Sequence, residues 1–547
     1  MMRLLGEDSL WIRAFEKTAR TIKKYPEEMG VLIDEDRLNA AIGVDPSLAK
    51  IILHYAKSGS STFETQLTER LPKGLSELLQ LPGLGLQKVE TLWKQHGIEN
   101  IDDLKHACQA GQLSGIKDFG QFLEQKLLRA IDFKRKHSND YHLDIALSVA
   151  QKWMPILADL ESVGKLELSG QLRRGNELIQ AIEFVVEAQD SALRSELASK
   201  YAIDPGDETP LALIDLSGMP ILLWPCSAIE FQTCHLLVTS GESYLKRIDI
   251  KLAEKGLSRS GYCIENLLVN ESSEQSVCEA IGIQWIEPEL RDVFDHFPTA
   301  HKLIEPECVR GVFHAHSTWS DGRNSLEEMV LATRALGYEY LGISEHSQAA
   351  YYANGLEVDR VRAQWELIDS LNEELSDFHI FKGIEADILK DGSLDYSEQL
   401  LAGFDFVIAS IHSHFHLDSN QQTDRIIKAL QSPFTTMLGH PTGRMLLSRE
   451  GYAPDLGAII EVAGENGKII EINSTPKRLD LDWRYLKLAK SQGVKISINP
   501  DAHSIEGLKT IPLGVTIARK GGLTITDVVN TLGLEAMQED LAQRRSW

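Results

Sequence analysis

The stretch GVFHAHSTWSDGRNSLEEMVLATRALGYEYLGISEH, residues 311–346, decides the fold of the C-terminal half. A short apolar run ends in two histidines, a helix-forming segment (324–337) follows, and a second apolar run ends in His346. Strand, helix and strand in that order make a parallel unit. The rhythm recurs in FKGIEAD (381–387), FVIASIH (406–412), TMLGH (436–440), IIEIN (469–473) and KISINPDAH (495–503), with helical stretches such as DWRYLKLAKSQG (482–493) between them. Seven such runs, without an open sheet's reversal, predict a closed barrel over 311–547 whose site lies at the C-terminal strand ends.

Ligand-type residues stand at those ends: His314, His316, Asp321, His346, Glu385, His412, His440, Asp501 and His503. In a strand, residues two apart face the same side, so His314 and His316 are expected to grip one ion together. A single such histidine reads as a hydrogen-bonded core residue. Nine ligand-type groups together repel one another and lose hydration, which is costly without cations. A site for two or three divalent ions is therefore expected, and imidazole with carboxylate favours Zn²⁺, Mn²⁺ or Fe²⁺ over Mg²⁺. Clustered divalent ions suit phosphoester hydrolysis by an activated water, so no protein nucleophile is required. Glu471 reads as a supporting group inside the barrel, and His414 and His416 as lining the cleft. Arg444, Arg449 and Arg478 on nearby loops read as phosphate clamps, with salt-bridged loop anchors as the alternative.

Working outward, the chain has 547 residues and a formal charge of 56 − 80 = −24. Residues 1–137 hold 20 Lys+Arg against 19 Asp+Glu, so the remainder, 36 against 61, carries the whole acidic excess. That balance excludes a protein that coats nucleic acid nonspecifically and leaves the first quarter as the less repulsive place for a phosphate backbone. Six cysteines form no CxxC pair, no apolar run reaches 18 residues, and the N-terminus lacks a signal-peptide core. A cytoplasmic protein without membrane association is expected. Residues 1–136 read as a helical domain. In LPGLGLQK, Gly83 and Gly85 make a turn whose following helix start exposes N–H groups, and Lys88 adds a charge, a pattern for holding a DNA backbone. GIKDFG (115–120) is a looser version, and Gly43 marks a further eroded turn. Residues 137–295 mix strand-like runs (IEFVVEA, LALIDL, ILLWP) with helices, and 296–310 read as a linker.

HAHSTWSDG, GISEHS, GIEADIL, ASIHSH, GHPTGR, EINSTPKRLDL and PDAHS closely resemble the polymerase-and-histidinol-phosphatase (PHP) domain. From about residue 10 onward the chain resembles bacterial family-X DNA polymerases. The resemblance implies helix-hairpin-helix elements in the first domain, a nucleotidyltransferase-like α+β palm and thumb in the middle, and a distorted (β/α)7 barrel. It further implies three metal ions, Mn²⁺ or Zn²⁺, beside which the donor types also admit Fe²⁺. The first falls to His314, His316, Glu385 and Asp501, the second to Glu385 and His412, and the third to Asp321, His346, His440 and His503. The implied activity is 3′–5′ removal of nucleotides or blocking groups from gapped or nicked DNA in base-excision repair. A monomer is expected.

The middle region departs from the family pattern. In LSGQLRRGNELIQAIEFVV, Arg173, Arg174 and Gly175 remain, but Gln171 replaces the expected serine, and Ala181 and Glu183 stand at the catalytic aspartates. The third aspartate's strand holds Ile221 and Leu222. Nucleotidyl transfer needs clustered carboxylates around two Mg²⁺ ions, which one Glu does not provide. Polymerase activity is expected to be lost or very weak. The alternatives are a phosphatase of small phosphomonoesters, a still-active polymerase and a non-enzymatic DNA-end scaffold.

Overall fold

The computed structural model describes residues 1–24, 32–33, 38, 43, 45–58, 61–201, 209–265, 267, 273–292 and 302–545. Gly43 is described and adopts φ 58°, while its neighbours 41, 42 and 44 and the first part of the 296–310 linker lie outside them. The chain divides into two compact units, Met1–Ser138 and Asn139–Trp547.

The first unit is helical. Leu75–Leu78 turns into Leu86–His96, and Ile101–Gln109 turns into Gln121–Lys136. Their apolar faces share a core that includes Leu78, Leu92, Leu104, Leu127 and Ile131. Asn100 caps the helix Ile101–Gln109 by accepting from the Asp103 N–H, with Asp102 and Asp103 favourably placed in its first turn. Gly83 adopts φ 95°, and a Cβ there would stand 3.0 Å from Leu123, so the first turn fits against the second hairpin.

The second unit opens with a mixed sheet of four strands, β1 (Leu166–Ser169), β2 (Ile182–Glu187), β3 (Leu211–Ile214) and β4 (Pro220–Cys226), in the order β1-β2-β4-β3. β2 and β4 run parallel, and the outer pairs are antiparallel. This middle region packs against the barrel inside one unit. Lys520 Nζ reaches Asp292 at 2.5 Å and the Arg174 carbonyl at 3.0 Å, and the Trp483 indole donates to Glu177 at 2.9 Å.

Seven parallel strands follow in sequential order: β5 (Gly311–Ala315), β6 (Tyr340–His346), β7 (His379–Asp387), β8 (Phe406–Ser410), β9 (Met437–Leu438), β10 (Ile469–Asn473) and β11 (Lys495–Asn499). The helix Leu326–Ala335 returns the chain from β5 to β6, started by a reciprocal Ser325–Glu328 capping box. Past β11, the His316 N–H donates to the Ala502 carbonyl at 2.8 Å and the Ala502 N–H to the His314 carbonyl at 3.1 Å, closing the barrel at its C-terminal end. Lower on the same seam, buried Asn530 stands in for backbone: it donates to the Gly311 and Ile498 carbonyls and accepts the Ile498 N–H at 2.7 Å.

The barrel floor is aromatic. Phe313, Phe381 and Phe406 pack with Met437, Ile469 and Met537 of the C-terminal helix. A Cβ at Gly383 would stand 2.1 Å from Phe406, and one at Gly342 2.2 Å from Phe313, so these strand glycines make room for the rings. Polar side chains then occupy the opposite end of the barrel.

Candidate metal centre

Two residues apart in a strand is not enough to point both His314 and His316 inward, because Phe313 already faces the floor. β5 carries a register shift against β6 at this place, and His314 adopts φ 58°. The bulge re-aims His314 into the barrel above Phe313. His440 (φ 20°) and Asp501 (φ 49°) also hold positive φ. Left-handed backbone in non-glycine residues is costly, and here it falls on three of the residues aimed into the cluster.

Glu385, 1% exposed at the end of β7, is the hub. Its carboxylate lies 3.2 Å from His314 Nε2, 3.7 Å from His316 Nε2, 2.9 Å from His346 Nδ1, 3.1 Å from His412 Nε2 and 3.0 Å from His440 Nε2. Asp501 lies 3.3 Å from His316 and 3.5 Å from His314, and Asp321 lies 3.4 Å from His503 and 3.6 Å from His346. Four groups of three or more donor atoms converge: His316, Asp321, His346 and His503; His314, Glu385 and His440; His314, His316 and Asp501; and His346, Glu385 and His412.

The donor set fits cations. Nε2 of His314, both ring nitrogens of His316, Nδ1 of His346 and Oε2 of Glu385 are buried without a hydrogen-bond partner. Lone pairs that converge without donors between them have no better partner than a metal ion. Electrostatics agree. Burial alone would lower His314, yet Glu471, Asp501 and Glu385 outweigh it and raise it well above the usual imidazole range. His316, buried and next to His503 and His346, is pushed down to about 3. Burial would also raise Glu385, but His412, His314 and His346 hold it well below the carboxylate range.

Outer partners fix the rings. Glu471, fully buried, accepts from His314 Nδ1 at 2.5 Å, the His440 N–H at 2.6 Å and Asn499 at 2.9 Å. Asp387 accepts from His412 Nδ1 at 2.7 Å. The two bonds to ring nitrogens settle the tautomers of His314 and His412 and present their Nε2 atoms to the cluster. Asp387 was missed in the sequence, although its place two residues past Glu385 on the same strand face was a usable signal.

The grouping differs from the one that the resemblance implies. His440 lies with His314 and Glu385, not with Asp321, His346 and His503, because it follows a strand of only two residues and turns straight back over Glu385. His314, His316 and His346 each stand in two groups, as Glu385 does. His414 and His416 are exposed, their rings 5.9 Å apart, and belong to none of the four groups.

The arginines separate. Arg444 turns inward, donating to the Arg478 carbonyl at 2.9 Å, to Asp482 at 2.6 Å and to the Leu479 carbonyl, so its guanidinium braces a loop. Arg478 Nε stands 3.7 Å from Asp501, beside the cluster. Arg449 lies 4.9 Å over the Phe415 ring and donates to the Gly443 carbonyl.

Elsewhere, Gly85 and Gly120 precede the helices Leu86–His96 and Gln121–Lys136 in extended conformation, and no side chain caps either helix. Lys88 Nζ donates to the Gly83 carbonyl and lies 5.6 Å over Phe119. In the middle sheet, Glu183 pairs across strands with Leu222, and its carboxylate accepts from the Trp224 indole at 3.2 Å. Ala181 directly precedes β2. Arg173 binds Glu274 through two hydrogen bonds, 2.6 and 3.0 Å, and Arg174 pairs with Asp292 at 2.8 Å.

Residues 313–475 match the family model described as "PHP domain". A probable phosphatase of Thermoanaerobacter sp. (strain X514) is 29% identical over 220 residues, 36% of this chain and 87% of that protein. A probable phosphatase of Caldicellulosiruptor saccharolyticus is 30% identical over 206 residues, 35% of this chain and 78% of that protein. DNA polymerase/3′-5′ exonuclease PolX of Bacillus subtilis (strain 168) is 33% identical over 554 aligned positions, 98% of this chain and 96% of that protein. With similarity running through all three regions, the chain belongs to the bacterial family-X DNA polymerases that carry a C-terminal PHP domain.

Proposed function

We propose that the barrel is a 3′–5′ exonuclease that trims DNA 3′ ends at gaps and nicks in repair, and that nucleotidyl transfer by the middle region is lost. The observation that carries the reading is the convergence of six imidazoles and three carboxylates at the mouth of the barrel. His314, His316, Asp321, His346, Glu385, His412, His440, Asp501 and His503 would hold three divalent ions, Mn²⁺ or Zn²⁺ by donor type. Bound there, the ions would supply Lewis-acid polarisation of the phosphate and activation of an attacking water. Glu471 and Asp387 keep the imidazoles in the tautomer that faces the cluster. Arg478 stands where it would meet a phosphate oxygen next to Asp501. Arg444 holds Arg478's loop in place, and Arg449 lies farther along the rim. The 3′–5′ polarity and the DNA substrate rest on the similarity to the B. subtilis PolX, whose name states that activity. The helix starts at Gly85 and Gly120, with Lys88, would hold the phosphate backbone without reading sequence.

Loss of transfer is supported by Ala181 and by Leu222 opposite Glu183, which leave no paired carboxylates for two Mg²⁺ ions. A second reading, hydrolysis of small phosphomonoesters, draws on the similarity of the barrel to probable phosphatases. One experiment separates them: the protein with Mn²⁺ on 5′-labelled gapped DNA, with and without dNTPs, beside Asp501→Asn and His503→Ala. Primer shortening that both substitutions abolish is expected. Extension with dNTPs would refute the loss of transfer, and turnover of p-nitrophenyl phosphate without shortening would favour the second reading. Ala181→Asp alone is expected not to restore extension, because Leu222 still faces Glu183.

A further inference from the structure

The segment 347–356 forms a rigid lip beside the cluster. Its ends are pinned where the Leu356 N–H donates to the His346 carbonyl at 2.9 Å and the Ala350 N–H to the Ser347 carbonyl at 3.0 Å. Asn354, in left-handed conformation, ties the lip to the segment carrying Asp321 by donating to the Trp319 and Ser320 carbonyls, both at 3.0 Å. Gly355 passes so close that a Cβ would collide with the Ser347 carbonyl at 1.9 Å. From this braced lip Tyr351 and Tyr352 project into solvent, 86% and 63% exposed, their rings 6.0 Å apart. Partial burial of its hydroxyl, and then the carboxylates of Asp387, Glu385 and Asp321, push the Tyr352 phenol up, and the bonds to His346 and to the segment before Asp321 set the lip beside the mouth. A second aromatic surface follows β8: Phe415, 42% exposed, stacks on Tyr452 at 6.0 Å and carries the Arg449 guanidinium on its face. Tyr452 in turn reaches the His440 carbonyl.

Large exposed aromatics on a fixed backbone serve no packing purpose, and a small phosphomonoester has nothing to lay against them. Unpaired nucleobases do, because every base offers a π face, and stacking on aromatic side chains or on an Arg plane is the sequence-tolerant way to hold a single strand. Resting on the exonuclease reading above, we infer that Tyr351 and Tyr352 on one lip, with Phe415 and Arg449 on the other, take the unpaired terminal bases of a single-stranded 3′ end while its phosphate enters the cluster.

The test uses the Mn²⁺-loaded full chain and a single-stranded oligonucleotide that ends in 2-aminopurine, whose fluorescence is quenched on stacking, with hydrolysis-resistant phosphorothioates as its last linkages. Wild type is expected to quench it and to bind a blunt duplex more weakly. The double variant Tyr351→Ala/Tyr352→Ala is expected to lose the quench and roughly tenfold or more in affinity. With Mn²⁺, the same variant's activity ratio of single-stranded DNA to bis(p-nitrophenyl) phosphate is expected to fall by a similar factor. Tyr351→Phe/Tyr352→Phe keeps the rings and should behave as wild type, which separates stacking from misfolding. An unquenched wild-type complex, or a double alanine variant with wild-type quench and ratio, overturns the inference. Quenching without any Mn²⁺-dependent shortening of DNA would instead refute the exonuclease reading.

Discussion

Glu345 offers the sharpest test of how the cluster is held. Its carboxylate is fully buried one residue before His346 and meets donors on all sides. It accepts the Ser317 N–H at 3.0 Å, the Ser317 hydroxyl at 2.5 Å, the Ser320 N–H at 3.1 Å, the Ser320 hydroxyl and the Gln364 amide at 3.2 Å. The segment so fastened leads directly into Asp321. In Glu345→Ala the two hydroxyls and the Gln364 amide rotate to other partners, but the two backbone N–H groups have no freedom to do so. At about 1–3 kcal/mol for each buried donor left unsatisfied, the two N–H groups cost the segment about 2–6 kcal/mol. At 1.4 kcal/mol per decade, that is roughly one and a half to four decades in the local opening constant. Glu345→Gln keeps one acceptor oxygen but turns an NH2 toward a donor, so about half that effect is expected. Amide exchange of peptides spanning 316–324 reads the opening, and the metal content after Mn²⁺ loading reads its consequence at Asp321. Unchanged exchange in Glu345→Ala, or faster exchange with full metal content, would refute the reasoning that this carboxylate positions Asp321.

Glu471→Gln exchanges one of the two oxygens that accept from His314 and the His440 N–H for an NH2 group and removes the charge, and is expected to weaken metal binding about 10- to 100-fold by competition with a chelator, with little change in the far-UV spectrum. Asn530→Ala opens the barrel seam and leaves buried carbonyls and an N–H of β5 and β11 unpaired, a cost of about 3–5 kcal/mol measurable as a lowered urea midpoint. Glu274 is held well below the carboxylate range because Arg173 and Arg291 outweigh the effect of its burial. A depressed folded-state value means that its stabilisation is complete above the unfolded carboxylate pKa of about 4.3 and drains away as pH falls below it. The gap in unfolding midpoint between wild type and Glu274→Gln should therefore narrow from pH 6 to pH 3, and a gap independent of pH would contradict the ion-pair account.

The barrel was legible because its strands are short apolar runs that end in ligand-type residues, and each of the seven runs is a strand in the structure. What sits opposite what across a barrel was not legible. Strand-end spacing says that His440 faces the mouth, but its nearness to Glu385 depends on how short β9 is and how the chain turns at φ 20°. Likewise, alternation along FHAH puts Phe313 and His314 on opposite faces, and only a bulge allows both to point into the barrel, one to the floor and one to the site. Loop arginines carry still less information. Arg444 and Arg478 have similar neighbours in sequence, yet Arg444 is consumed by the carbonyls of residues 478 and 479 while Arg478 points at Asp501.

Under the loss of transfer proposed above, the middle region shows how a motif can stay readable after the chemistry that it signals has gone. A triphosphate needs guanidinium groups that are free to accept its charge. Arg173 is bound by both oxygens of Glu274, which also binds Arg291, and Arg174 is paired with Asp292. Asp292 in turn holds Lys520 of the helix Ile511–Lys520, and the Arg174 carbonyl accepts from the same ammonium. Gly175 lies at φ 64° against that helix, where a Cβ would stand 2.3 Å from Thr516. The Arg-Arg-Gly turn is thus the surface on which the barrel sits. Substituting it would disturb the docking of the barrel whether or not a nucleotide ever binds there. Ala181 carries no such second duty, since it makes no polar side-chain contact, whereas the Glu183 carboxylate meets Trp224 in its own sheet and also the Gln171 N–H and the Arg174 charge of the turn. Under the loss of transfer proposed above, the residues free to change are those that served chemistry alone, and those that persist are the ones the fold still uses.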